Sequence, residues 1–79
     1  MNKTRRAQIE EIRGQIEDLR TRVEALSEDE QEAFENLPDS LQQSEKGEKM
    51  EEAFEALDEA ADQLEKACSS LVVAMGDQS

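Results

Sequence analysis

The sequence predicts an all-α fold: an antiparallel, coiled-coil-like helical hairpin that pairs with a second copy into a dimeric four-helix bundle. Three observations predict it. Two stretches carry apolar residues at alternating steps of three and four, the signature of a packed helix seam. A connector with Pro38 and Gly47 interrupts them, which disfavours one continuous helix. A chain of 79 residues is also too short to bury a large core alone, so a partner is expected to complete it. With 35% hydrophobic and 38% charged residues, the composition leans towards disorder or coiled coil, and the periodicity decides for helix.

The chain reads as one domain. Helix one is expected over about residues 6–37. From Ile9 the row runs Ile9, Ile12, Ile16, Leu19, Val23 and Leu26. Ser27 and Glu30 then form a capping-box pattern that marks a kink or restart. Ala33, Phe34 and Leu37 resume the apolar pattern after a phase shift of about four residues, a stutter. Pro38 ends the helix at Leu37 or opens the next short one. The connector, 38–47, reads PDSLQQSEKG: a short helix over about 39–45, a cap at Ser40 or Ser44, and a joint at Gly47. Leu41 is expected to fold over the end of the bundle as a lid; exposed instead, it would be an anchor for a partner.

Helix two is expected over about 48–75, with a seam of Met50, Phe54, Leu57, Ala61, Leu64, Cys68, Leu71 and Met75. Beside it runs a second row of period seven: Ala53, Ala60, Ala67 and Ala74. Small residues flanking a leucine seam widen the apolar stripe and admit a second helix closely. Ile9 to Leu37 spans about 43 Å and Glu48 to Met75 about 42 Å at 1.5 Å per residue. Matched lengths favour a hairpin with Ile9 near Leu71 and Met75, Leu37 near Met50, and Phe34 against Phe54 at the loop end. Residues 1–5 and 76–79 are expected to fray.

Chemistry is hard to find. The sequence has no histidine, which removes Ser-His and Cys-His nucleophiles and the usual imidazole base. Cys68 lies on a seam, where a free thiol acts as a small buried hydrophobe. Carboxylates are abundant but occupy outward positions, and neither a Glu-x-x-His metal pattern nor a calcium loop is present. Gly14, Gly47 and Gly76 are isolated and cradle no phosphate. No catalytic, cofactor-binding or metal-ligating residue is predicted, and no enzyme. The single cysteine favours a reducing compartment, and no apolar segment follows the basic N-terminus as in a secretion signal. The longest unbroken apolar run, Leu71 to Met75, is far too short to span a bilayer. A cytoplasmic protein without membrane contact is expected.

Charge is the strongest compositional signal. Nine basic residues against 21 acidic ones give −12. Residues 1–22 hold six basic and four acidic residues, whereas 23–79 hold three lysines against seventeen acids. Helix one has i,i+4 pairs in Arg13–Glu17, Asp18–Arg22 and Arg20–Glu24. Helix two has Asp62–Lys66 but also like-charge pairs, among them Glu51–Glu55 and Glu55–Glu59, that cost a few tenths of a kcal/mol each. Stability alone would prefer lysines among them. The candidate partner-binding face is therefore Glu51, Glu55, Asp58, Glu59 and Asp62. Such an array either keeps a helix dissolved or imitates the phosphates of DNA, which carries one charge per about 1.7 Å, and so engages a basic protein. Direct nucleic-acid binding by so acidic a chain is not expected.

The segment from Glu28 to Ala67 carries the pattern NLP-x-S-x-Q-x-S-x-x-G-E-x-M-E-x-A, here Asn36, Leu37, Pro38, Ser40, Gln42, Ser44, Gly47, Glu48, Met50, Glu51 and Ala53. In this connector the chain resembles a group of small, acidic, predicted-helical proteins of phages and prophages. The resemblance implies a bacterial or phage cytoplasm and a role in modulating a host protein. It implies no catalytic or binding residues. The function expected is a non-enzymatic protein–protein interaction module. The alternatives are an acidic nucleic-acid mimic that inhibits a DNA- or RNA-binding defence protein of restriction or CRISPR type, and a purely structural dimeric scaffold.

Overall fold

The structure, a computed structural model, describes residues 2–76 and contains three helices: α1 (Lys3–Glu35), α2 (Asp39–Gln42) and α3 (Glu45–Met75). The long helices α1 and α3 pack against each other as a hairpin, a rod of 58 × 16 × 15 Å. No helix among the described residues is long and apolar enough to cross a membrane.

The two long helices each start on a side-chain cap. Asn2 accepts from the Arg5 N–H at 2.8 Å, so α1 begins at Lys3 rather than near residue 6, and the first turn is held instead of fraying. Met1 and residues 77–79 lie outside the described residues. At its far end α1 closes through Leu37 N–H to the Phe34 carbonyl at 3.1 Å, and Pro38 turns the chain away. Gln42 completes that end: its side-chain amide donates to the carbonyls of Phe34 (3.2 Å), Leu37 (3.1 Å) and, more distantly, Glu35 (3.4 Å), at the turn where the helical ladder runs out. Ser44 caps α3 by accepting from Gly47 N–H at 3.4 Å, so α3 starts three residues before the expected 48. Gly47 is thus no joint. It lies inside the first turns of α3, buried against the α2 backbone, where a Cβ would stand 2.2 Å from the Gln42 carbonyl oxygen. Gly76, with φ 80°, closes α3 in a conformation that suits glycine.

Helix α1 runs through residue 27 without a break, and there is no stutter. Its inward positions are Ile9, Arg13, Ile16, Arg20, Val23, Ser27, Glu30, Phe34 and Leu37, in unbroken steps of four and three. The expected seam paired Ile9, Ile16 and Val23 with Ile12, Leu19 and Leu26. The structure pairs them with Arg13, Arg20 and Ser27 instead, leaving Ile12, Leu19 and Leu26 46%, 46% and 57% exposed. Ser27 is buried, with 2% of its surface exposed; its hydroxyl lies 3.1 Å from the Phe54 carbonyl and 2.5 Å from an Asp58 carboxylate oxygen. That bond replaces the expected capping role.

On α3, Met50, Phe54, Leu57, Leu64, Leu71 and Met75 are half-buried, and Ala61 and Cys68 are buried. The two small residues allow close approach: the Cys68 thiol sits 3.7 Å from the Arg13 carbonyl oxygen. Phe34 and Phe54 meet at the loop end, ring centroids 5.7 Å apart and tilted by 59°, a favoured aromatic geometry. Ser27 against Phe54 and Arg13 against Cys68 set an antiparallel register. Leu41 is not a lid. It is 42% exposed, more open than the half-buried Leu37.

Candidate interaction surfaces

The two inward rows of each helix define two broad faces of the hairpin. On α1, the positions three after Ile9, Ile16 and Val23 are Ile12, Leu19 and Leu26. On α3, the positions three after Met50, Leu57 and Leu64 are Ala53, Ala60 and Ala67. An antiparallel helix pair has a local two-fold axis normal to its face, so equal offsets from the inward rows emerge on the same side. One face therefore joins Ile12, Leu19 and Leu26 to the three alanines. It is the apolar face. Its loop end opens into a groove of about 550 Å³ lined by Glu30, Glu45, Lys46, Lys49, Met50 and Ala53.

The opposite face uses the positions one after each of those inward residues: Glu10, Glu17 and Glu24 on α1, and Glu51, Asp58 and Glu65 on α3. It is the acidic face. The half-buried arginines of α1 reach out onto it. Arg13 pairs with Glu10 and, at 3.0 Å, with Glu17; Arg20 lies 3.6 Å from Glu24. Their aliphatic stems cover the core while the guanidinium groups stay near water. The Arg13 guanidinium, hydrogen-bonded to Glu10, holds that carboxyl below the usual range, and Glu10 in turn raises Arg13 further.

The five acids proposed from the sequence do not all project from this face. Glu51 and Asp58 do, whereas Glu55, Asp62 and Glu59 follow round the outer side of α3, an arc of about 100° at 3.5 residues per turn. Three of the five have partners within the chain. Asp58 accepts from Ser27, Asp62 lies 3.1 Å from Lys66, and Glu59 accepts from Gln63 at 3.4 Å. Asp58 is thus part of the hairpin's fastening.

Charge is distributed along the rod as well as around it. Residues 24–62, the loop-ward part, contain fifteen carboxylates and two lysines, a balance of 2 − 15 = −13. The remainder of the sequence, residues 1–23 and 63–79, contains seven basic and six acidic residues, or +1, and its described part forms the open end of the rod. The two sum to the −12 of the whole chain.

Sequence reasoning missed the inward places of Arg13, Arg20 and Ser27 and the role of Gln42 at the end of α1. The missing signal was phase: continuing the steps of four and three from Ile9 through Arg13 brings Phe34 and Leu37 into register without any insertion. Among the described residues, no group of three or more His, Cys, Asp or Glu side chains is arranged to hold a metal ion. No family model, curated protein or solved structure matches this chain.

Proposed function

We propose that the chain is a non-enzymatic protein–protein interaction module that docks through its apolar face. The observation that carries this reading is the row Ile12, Leu19 and Leu26. Three large side chains recur at one position of the heptad on a capped, continuous helix, yet remain about half exposed. Scattered single apolar residues on a surface need no explanation, but an aligned row beside a strip of alanines is how a helix face awaits another helix. The likeness to small acidic phage proteins adds a setting, modulation of a bacterial host protein.

A second reading has its own observation. Fifteen carboxylates against two lysines over residues 24–62, carried by α1, α2 and α3 together, load the loop-ward half of the rod along about 26 Å, the length of α3 from Glu45 to Asp62. One net negative charge per about 2 Å approaches the density of duplex DNA. That supports an acidic mimic held in the basic groove of a nucleic-acid-binding protein.

Affinity capture from a bacterial lysate separates the two. The variants are Leu19→Glu, Leu41→Ser, and a form with Glu51, Glu55, Glu59 and Asp62 changed to amides, leaving Asp58 to hold Ser27. A docking module loses its partner with Leu19→Glu and keeps it in the amide form. A mimic loses a DNA- or RNA-binding protein in the amide form, and free DNA competes for it. Capture unaffected by either change refutes both readings.

A further inference from the structure

We propose that the apolar face takes a second copy of this chain, laid antiparallel, so that the loop end of each hairpin covers the open end of the other. This rests on the docking role of that face and names its occupant. The face is self-complementary in spacing. Ile12, Leu19 and Leu26 are equally spaced about Leu19, so a two-fold axis crossing the rod there brings Leu19 against the partner's Leu19 and Ile12 against the partner's Leu26. The alanine strip on α3 lets the second pair of helices come close enough for the four to share one core.

Charge selects the orientation. A net −12 on each copy opposes association in any arrangement, and the opposition is greatest where the −13 ends would stack on each other. A parallel dimer does that. The antiparallel dimer sets each −13 end over a +1 end, and it lays the first turns of α1, with Lys3, Arg5 and Arg6, beside the partner's acidic stretch 28–35. The size is sufficient too. An overlap of about 48 Å, residues 3–35 at 1.5 Å each, on a rod 16 Å wide presents a face of roughly 770 Å², close to the ~800 Å² per partner of a standard specific interface.

Sedimentation equilibrium and cysteine cross-linking test this together. The wild type sediments as a dimer at tens of micromolar concentration. Leu19→Glu places two carboxylates together on the axis, which raises the dissociation constant by about 100-fold or more. Its helicity is retained, because the single chain leaves Leu19 46% exposed. Leu41→Ser, outside the overlap, stays dimeric. In a Cys68→Ala background, Leu19→Cys cross-links on mild oxidation. Ile12→Cys does not, since the two copies of residue 12 lie about 21 Å apart along the axis. A wild type monomeric at 100 µM overturns the proposal, as does a dimer in which Ile12→Cys cross-links or Leu19→Cys does not. A monomer that still loses a lysate partner with Leu19→Glu keeps the docking role and removes only the second copy as its occupant.

Discussion

Gly47 offers a test in which sequence and structure predict opposite signs. It lies within α3, in the turn that Ser44 caps, and a glycine inside a helix costs about 1 kcal/mol relative to alanine. Helix propensity alone therefore predicts that Gly47→Ala stabilises the protein. The structure predicts the reverse. An added Cβ would meet Gln42 O at 2.2 Å, with the Gln42 carbonyl carbon and Leu41 O both at 2.6 Å. Ordinary contact begins near 3.4 Å, so the overlap exceeds 1 Å, and the atoms in the way are backbone. They can yield only if the α2–α3 junction opens. Opening it weakens the Ser44 cap, about 1 kcal/mol, and the two close Gln42 bonds to the Phe34 and Leu37 carbonyls, about 1 kcal/mol each. Set against the propensity gain, the net loss is about 2 kcal/mol. Gly14 is the internal control: it is exposed in the middle of α1, and an added Cβ meets nothing within 4 Å. Gly14→Ala is expected to stabilise by up to about 1 kcal/mol. Urea unfolding followed by helical circular dichroism, at one fixed protein concentration, measures both. If Gly47→Ala stabilises as much as Gly14→Ala, the close α2–α3 junction described above is wrong.

Other substitutions probe the seam and its fastenings. Ala61→Leu adds three carbons at a buried position between α1 and α3 and is expected to cost about 1–3 kcal/mol; an unchanged urea midpoint would mean the helices do not approach there. Leu57→Ala and Leu64→Ala remove half-buried side chains and should fall near the lower end of the ~2–5 kcal/mol seen for full burial, and Glu52→Ala should cost almost nothing. Equal losses for all three would refute the seam. Ser27→Ala removes a buried hydroxyl bonded to a carboxylate and is expected to cost about 1 kcal/mol after the propensity gain of alanine; Asp58→Asn in that background should add little if the two act as one bond. Glu10 supplies a pH signature. Its carboxyl is held below the usual range chiefly by the hydrogen bond from Arg13, so its contribution is present above the ordinary carboxylate pKa and is lost as pH falls through the depressed value. The stability difference between wild type and Glu10→Gln should therefore persist at neutral pH and vanish in acid. A difference that grew on acidification would contradict the pairing.

By itself the sequence determined the helical class, the hairpin and its antiparallel sense. Heptad spacing, Pro38 after a matched length of chain, and the seam of α3 carry that information locally, and the Phe34–Phe54 contact followed from the lengths. Which rows of α1 face inward was a tertiary decision. Ile9, Ile16 and Val23 can join with Ile12, Leu19 and Leu26 or with Arg13, Arg20 and Ser27, and hydrophobicity favours the first pairing. Packing takes the second. Ala61 and Cys68 bring α3 so close that Ser27 can bond across the interface, while the arginine stems lie along the core with their charged ends carried out to Glu10, Glu17 and Glu24. The same choice turns the leucine row outwards and makes it an available surface. The connector shows the limit from the other side: its residues were singled out in the sequence, but the roles of Gly47 and Gln42 depend on how near α2 comes to α1 and α3. Spacing along a chain records which residues can share a helix face; distance between helices, set by the smallest residues at the contact, decides which face is used.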